Sequence, residues 1–98
     1  MSRDEQARAG LIALARREGW TVVADIADGV SPFNTVFFRR LPSGFRELIY
    51  VNIIAGRVTR AEYMVPVTAA PEHKFVRWHR DKLACVQLAL KGELVDPR

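Results

Sequence analysis

Few residues in this chain of 98 carry side chains that could do chemistry. Four acids, Asp25, Asp28, Glu47 and Glu62, lie in or beside strand-like segments, and an aspartate followed by Glu-x-Lys on a strand is a pattern of metal-dependent phosphodiester cleavage. The triplet here is Glu47-Leu48-Ile49, with an apolar side chain where that chemistry needs an ammonium, so no nuclease centre is expected. His73 and His79 would stand about 120° apart around a helix axis and cannot grip one ion together. Cys85 is the one cysteine, which excludes an internal disulfide and a thiolate metal site. Ser31 and Ser43 lie in turns with neither a histidine nor a glycine elbow nearby, and no phosphate loop or dinucleotide fingerprint is present. Lys82 falls within an apolar arc, where a stem that carries its charge out to water is the expected arrangement. No catalytic residue, metal ligand or cofactor is therefore assigned, and the chemistry left to the chain is recognition.

Arginine dominates that chemistry. Fifteen basic residues face eleven acidic ones, a net charge of +4, and the lysines all follow residue 73. This mild positive field favours polyanionic partners without selecting one. The apolar share of 49% and charged share of 27% are those of an ordinary globular chain, short enough for one domain with one two-layer core. No apolar run approaches the roughly 20 residues of a membrane span. The start, MSRDEQAR, has acids where a signal peptide would be apolar, which with the lone cysteine predicts a reducing cytoplasm.

The elements that must position these residues follow from periodicity. Ser2 and Glu5 have the spacing of a capping box, and the stripe of Ala7, Leu11, Ile12, Leu14 and Ala15 predicts a helix over 3–18 stopped by Gly19. WTVVADI alternates as a strand. Two more strands, over 34–41 and 45–54, flank Pro42-Ser43-Gly44, and a fourth over 57–65 follows the two-residue connection Ala55-Gly56. The stretch from Thr68, with Pro71 in its first turn and Gly92 at its end, predicts a second helix. The expected fold is α+β, in the order α-β-β-β-β-α, with an antiparallel four-stranded meander and both terminal helices on one face.

With a three-residue and a two-residue hairpin loop, Phe38 stands opposite Leu48 and Leu48 opposite Tyr63, with Val36, Tyr50 and Ala61 in the next row. That face is apolar through its middle, with Arg40, Arg46 and Arg57 at the hairpin ends. The opposite face mixes Phe37, Ile49, Val51, Ile53 and Val58 with Glu62, Arg60 and the cross-strand pair Arg39 and Glu47. Covering those charges would cost several kcal/mol. The face of Phe38 and Leu48 is thus expected inside, leaving Phe37, Ile49, Val51, Ile53, Val58 and Arg60 as an open, charge-rimmed apolar surface. A one-residue slip in either loop exchanges the two faces.

Two readings of function follow. The first is a non-enzymatic interaction protein that pairs with its own copy, or with a host protein, through that open face. The second is a nucleic-acid-binding protein using Arg40, Arg46, His73, Arg77 and Arg80, the last three on one stripe of the second helix. Phe33 and Phe37 with Arg39 and Arg60 could act as a base-stacking sheet, but Ile49, Val51 and Ile53 between them point to a dry contact. His79 is expected to be a hydrogen-bonded core histidine.

The segment GFRELIYVNIIAGRVTRAEYMV, followed by an amphipathic helix with a basic start, resembles small uncharacterised proteins encoded by actinobacteriophages. The resemblance covers the last half of the chain and implies expression in a bacterial host cytoplasm, with no catalytic residues to carry across. The helix-sheet-helix order is also superficially similar to double-stranded RNA-binding domains. Their lysine-rich helix start is only partly matched by HKFVRWHRDK, and their glycine-containing loop is missing.

Overall fold

An opening segment rich in alanine and arginine, with Ile12 as its one β-branched residue, favours helix, and α1 runs Arg3–Arg17. The computed structural model describes residues 3–24, 26, 32–42, 44–65 and 74–94. The expected capping residue Ser2 lies outside them. At the other end of α1, the Gly19 amide donates to Arg16 O (3.1 Å) and the Trp20 amide to Ala15 O (2.8 Å), with Gly19 at φ 88°. That pair of bonds is a Schellman stop. It recurs after the second helix, where Gly92 donates to Ala89 O and Glu93 to Leu88 O.

Among the described residues the sheet has five strands rather than four, all antiparallel and in chain order: β1 (Thr21–Val23), β2 (Thr35–Arg40), β3 (Arg46–Ile54), β4 (Arg57–Val65) and β5 (Lys74–Trp78). The extra strand comes from the segment expected to open the long second helix. In KFVRW, Phe75 and Arg77 are exposed while Val76 and Trp78 are buried, a period of two that a short apolar run conceals within a helical arc. Asp81, at φ 49°, separates this strand from α2, which is only Lys82–Leu90. Thr68, Pro71 and His73 lie outside the described residues. The helical stripe expected of His73, Arg77 and Arg80 does not form, because Arg77 is on β5 and Arg80 in the connection that follows. His79 is exposed, not buried.

The β2–β3 hairpin has the expected register, with Phe38 opposite Leu48, Arg39 opposite Glu47 and Arg40 opposite Arg46. The β3–β4 hairpin also turns on Ala55 and Gly56, both at positive φ (51° and 74°), as a type I′ turn requires. Beyond the turn the ladder shifts: Ile53 pairs with Val58, but Asn52 pairs with Arg60, leaving Thr59 without a partner. This is a β-bulge, and it is held from both sides. The Thr59 hydroxyl donates to Asn52 O (3.2 Å) and accepts from Asn52 Nδ2 (3.1 Å), while Asn34 Nδ2 donates to Ile53 O (2.8 Å) and Asn34 Oδ1 accepts from the Ile53 amide (3.2 Å).

The bulge reverses the expected faces. It swings Arg60 and Glu62 to the side of Asn52 and Tyr50, and brings Ala61 and Tyr63 to the side of Val51 and Ile49. Phe37, Ile49 and Val51 are 0% exposed and Ile53 is 2%, packed with Leu11, Leu14 and Ala15 of α1 and Val86, Ala89 and Leu90 of α2. Val58 packs against the same core. These five are therefore core residues and not an interaction surface, because the charges that made this side costly to bury are on the other side. Arg60 alone of the six remains on the open face. No helix among the described residues is long and apolar enough to cross a membrane.

Deleting Thr59 joins Val58 to Arg60 in an unbroken ladder with each still on its present face. That variant should fold, losing about 1–2 kcal/mol with the Asn52 clasp. Deleting Leu48, where no unpaired residue absorbs the change, reverses the alternation of half of β3 and should abolish cooperative unfolding. Urea titration followed by circular dichroism distinguishes the two.

Candidate functional site

Charged groups collect in two places, one on each side of the sheet. On the helix side, Arg39 Nε is paired with Glu47 Oε1, and Tyr63 Oη donates to Glu47 Oε2 (2.7 Å). The Arg39 guanidinium lies 4.4 Å from the centroid of Trp20 and donates to Glu18 O (3.4 Å), the carbonyl just past α1. Trp20 Nε1 in turn donates to Leu90 O at the end of α2 (2.8 Å). The cation therefore sits where two helix C-termini converge, at the negative ends of both dipoles. Burial and the hydrogen bond to Glu47 push the Tyr63 hydroxyl well above its ordinary value of 10.0. With both carboxylate oxygens engaged and a phenol held protonated, the cluster braces the helices on the sheet and has no free base to offer.

Cys85 and Lys82 are engaged as well. Cys85 is buried, its thiol donates to Arg80 O (3.6 Å), and burial together with Asp81 raises its pKa, so it stays a thiol. Lys82 Nζ donates to His79 O (3.1 Å), beside the start of α2. Asp25, Asp28, Ser31 and Ser43 lie outside the described residues. Among the described residues, no three His, Cys, Asp or Glu side chains are grouped as a metal site.

On the open side, strand pairing builds rows that run across the sheet. One row is Thr21, Phe38, Leu48, Met64 and Phe75, one residue from each strand. The next is Val23, Val36, Tyr50, Glu62 and Arg77. Arg40 and Arg46 pair in the row flanking the first of these, and Asn52 and Arg60 in the row flanking the second. Phe75 is 51% exposed and Val23 45%, while Phe38, Leu48, Tyr50 and Met64 are half-buried. The Phe33 ring lies 5.4 Å from that of Tyr50 and adds a fourth aromatic residue to the face.

Guanidinium groups cover three of those rings. Arg46 lies 5.1 Å from the Phe38 centroid, Arg60 5.4 Å from Phe33 and Arg77 5.9 Å from Phe75. Among the described residues the face holds five arginines, Arg40, Arg46, Arg60 and Arg77 around these rows and Arg57 at the β3–β4 turn, against one carboxylate, Glu62, which is 7% exposed beneath Arg77 (3.3 Å) and Arg60 (4.0 Å). No carboxylate pairs with Arg40 or Arg46 among the described residues. Of the residues expected to bind an anion, the structure brings Arg40, Arg46 and Arg77 to one face and leaves Arg80 exposed beyond β5. Sequence reasoning did not place Phe38, Tyr50 and Phe75 there. The detectable signal was Asn52 facing Thr59, a polar pair able to clasp an extra residue in the ladder.

No family model matches the chain, and neither a curated protein nor a solved structure matches it significantly.

The Tyr63 environment predicts an alkaline limb in stability. The native state holds the phenolic proton more tightly than the unfolded chain, so the contribution is complete below pH 10 and is lost as pH rises beyond it. Urea midpoints should fall more steeply between neutral and strongly alkaline pH for the wild type than for Tyr63→Phe, whose stability at neutral pH is lower. Parallel curves would place that phenol in water.

Proposed function

We propose that this protein is a nucleic-acid-binding module, without catalytic activity of its own, whose working surface is the open face of the sheet. The observation that carries this reading is the five-to-one excess, among the described residues, of guanidinium over carboxylate on a face whose centre is aromatic and apolar. Arg40 and Arg46 stand directly across from each other, an arrangement that costs stability in water and is relieved by a bridging anion. Arg77 closes the second row on β5 and Arg60 stands in the row beyond it, so a polyanion laid along the strands meets cations on both sides of the aromatic row.

A second copy is the less favoured occupant. Sheet-on-sheet pairing through this face would bring two arginine-rich surfaces together, each with one acid, and like charge opposes that contact. The apolar centre of Val36, Leu48 and Met64 is also narrow, since each of these is half-buried already.

Fluorescence anisotropy with a labelled pool of single-stranded and duplex oligonucleotides tests the proposal. Binding at low salt should weaken with a log-log slope of about −2 to −3, as expected for up to four phosphate contacts. Arg46→Glu, at an exposed position, should weaken binding about tenfold or more and flatten the slope while leaving the circular dichroism unchanged. Absence of binding at low salt, or a concentration-dependent dimer in light scattering that Arg46→Glu strengthens, would refute the proposal.

A further inference from the structure

We infer that the nucleic acid this face accepts is an unpaired strand, whose bases stack on Phe38 and Phe75 once Arg46 and Arg77 leave those rings for the flanking phosphates; the inference rests on the nucleic-acid reading above. Phe38 and Phe75 belong to one row across the sheet, on β2 and β5, with Leu48 and Met64 as a flat apolar floor between them. Three strand spacings put the two rings about 14 Å apart. The row therefore has a ring near each end and cations beside both.

A duplex has no use for such rings, because its base faces are already stacked and it presents phosphates and groove edges. A single strand does, because its bases can turn down onto an aromatic floor while the backbone lies along the arginines. An acidic peptide would answer the charges but not the rings. Phe75 carries the argument furthest: it is half exposed on an edge strand, and the Arg77 guanidinium lies 5.9 Å from its ring. An exposed contact of that kind is weaker than a stacked base. Exchanging it for a base on the ring is therefore favourable, while Arg77 keeps Nη2 on Glu62 and offers its other guanidinium nitrogens to a phosphate. The Phe33–Tyr50 pair, tilted by 40° and covered by Arg60, has less ring surface to give.

The experiment compares a labelled single strand of about a dozen nucleotides, its blunt duplex and heparin on the same protein. The single strand should bind at least tenfold more tightly than the duplex, by rough allowance for stacking on two rings. Phe75→Ala and Phe75→Leu should each weaken the single strand about fivefold or more, with little effect on heparin, because the leucine restores apolar bulk but no ring. Arg46→Glu should weaken every polyanion. Equal affinity for duplex and single strand, with both Phe75 variants silent and Arg46→Glu still damaging, overturns the stacking inference and leaves the nucleic-acid reading standing. If none of the nucleic acids binds, both fail together. Phe75 is exposed enough that neither substitution threatens the fold, which circular dichroism checks directly.

Discussion

Because side chains alternate along a strand, the one residue that β4 carries beyond its partner sets which of its side chains look toward the helices. Thr59 is that residue. Upstream of it, Val58 faces the core; past it, Ala61, Tyr63 and Val65 face the core in its place, while Arg60 and Glu62 lie on the open face. Were Thr59 instead paired opposite Asn52 in an unbroken ladder, Arg60 and Glu62 would lie beneath the helices and Ala61, Tyr63 and Val65 outside, a cost of several kcal/mol for each unpaired charge. β5 inherits the setting through its pairing with β4, so Trp78 and Val76 close the core opposite Ala61 and Tyr63. The bulge is thus a small local irregularity with consequences across two strands and the whole open face.

The charges left on the core side are tolerated because they satisfy one another. Glu47 is 6% exposed, with one oxygen on Arg39 and the other on Tyr63. Arg39 also caps the carbonyl end of α1 and stacks on Trp20, and Trp20 ties back to the carbonyl end of α2. Both helices therefore attach to the sheet through one polar knot as well as through apolar packing. Removing any single member would strand another in a dry place, which costs more than the net value of the bond removed.

Much of this was legible in the sequence, and what was missed has one cause. The α+β class, α1 with its Gly19 stop, the Gly92 stop, the strands around Pro42-Ser43-Gly44 and the Arg39–Glu47 pair all follow from local chemistry that acts over a few residues. A bulge shows in a hydrophobic pattern only as a change of phase: in Arg-Val-Thr-Arg-Ala-Glu-Tyr the apolar residues fall at 58, then at 61 and 63, and a strand read in one unbroken alternation passes over the adjacent Thr59 and Arg60. The same ambiguity hid β5, since Lys-Phe-Val-Arg-Trp has apolar residues at both helical and strand spacings. Its edge position in the sheet, settled by long-range pairing with β4, decided the matter. The arginines were found as residue types, but the face they share depended on that register.

The open face departs from what water alone would select. A solvated sheet gains from opposite charges placed across strands, yet Arg40 stands across from Arg46, and a phenylalanine remains half exposed on an edge strand. Such departures from local rules, in a chain that obeys them in its caps, turns and core, mark the places where another requirement competes with stability. The edges are a poor candidate for that requirement: β1 offers only three residues, and β5 carries the exposed cation Arg77, which discourages further strand pairing. The broad face has what the edges lack, a row with phenylalanine on β2 and β5, each beside an arginine. Whatever fills it must supply negative charge and flat surface together, and the bases and phosphates of an unpaired strand supply both from one molecule.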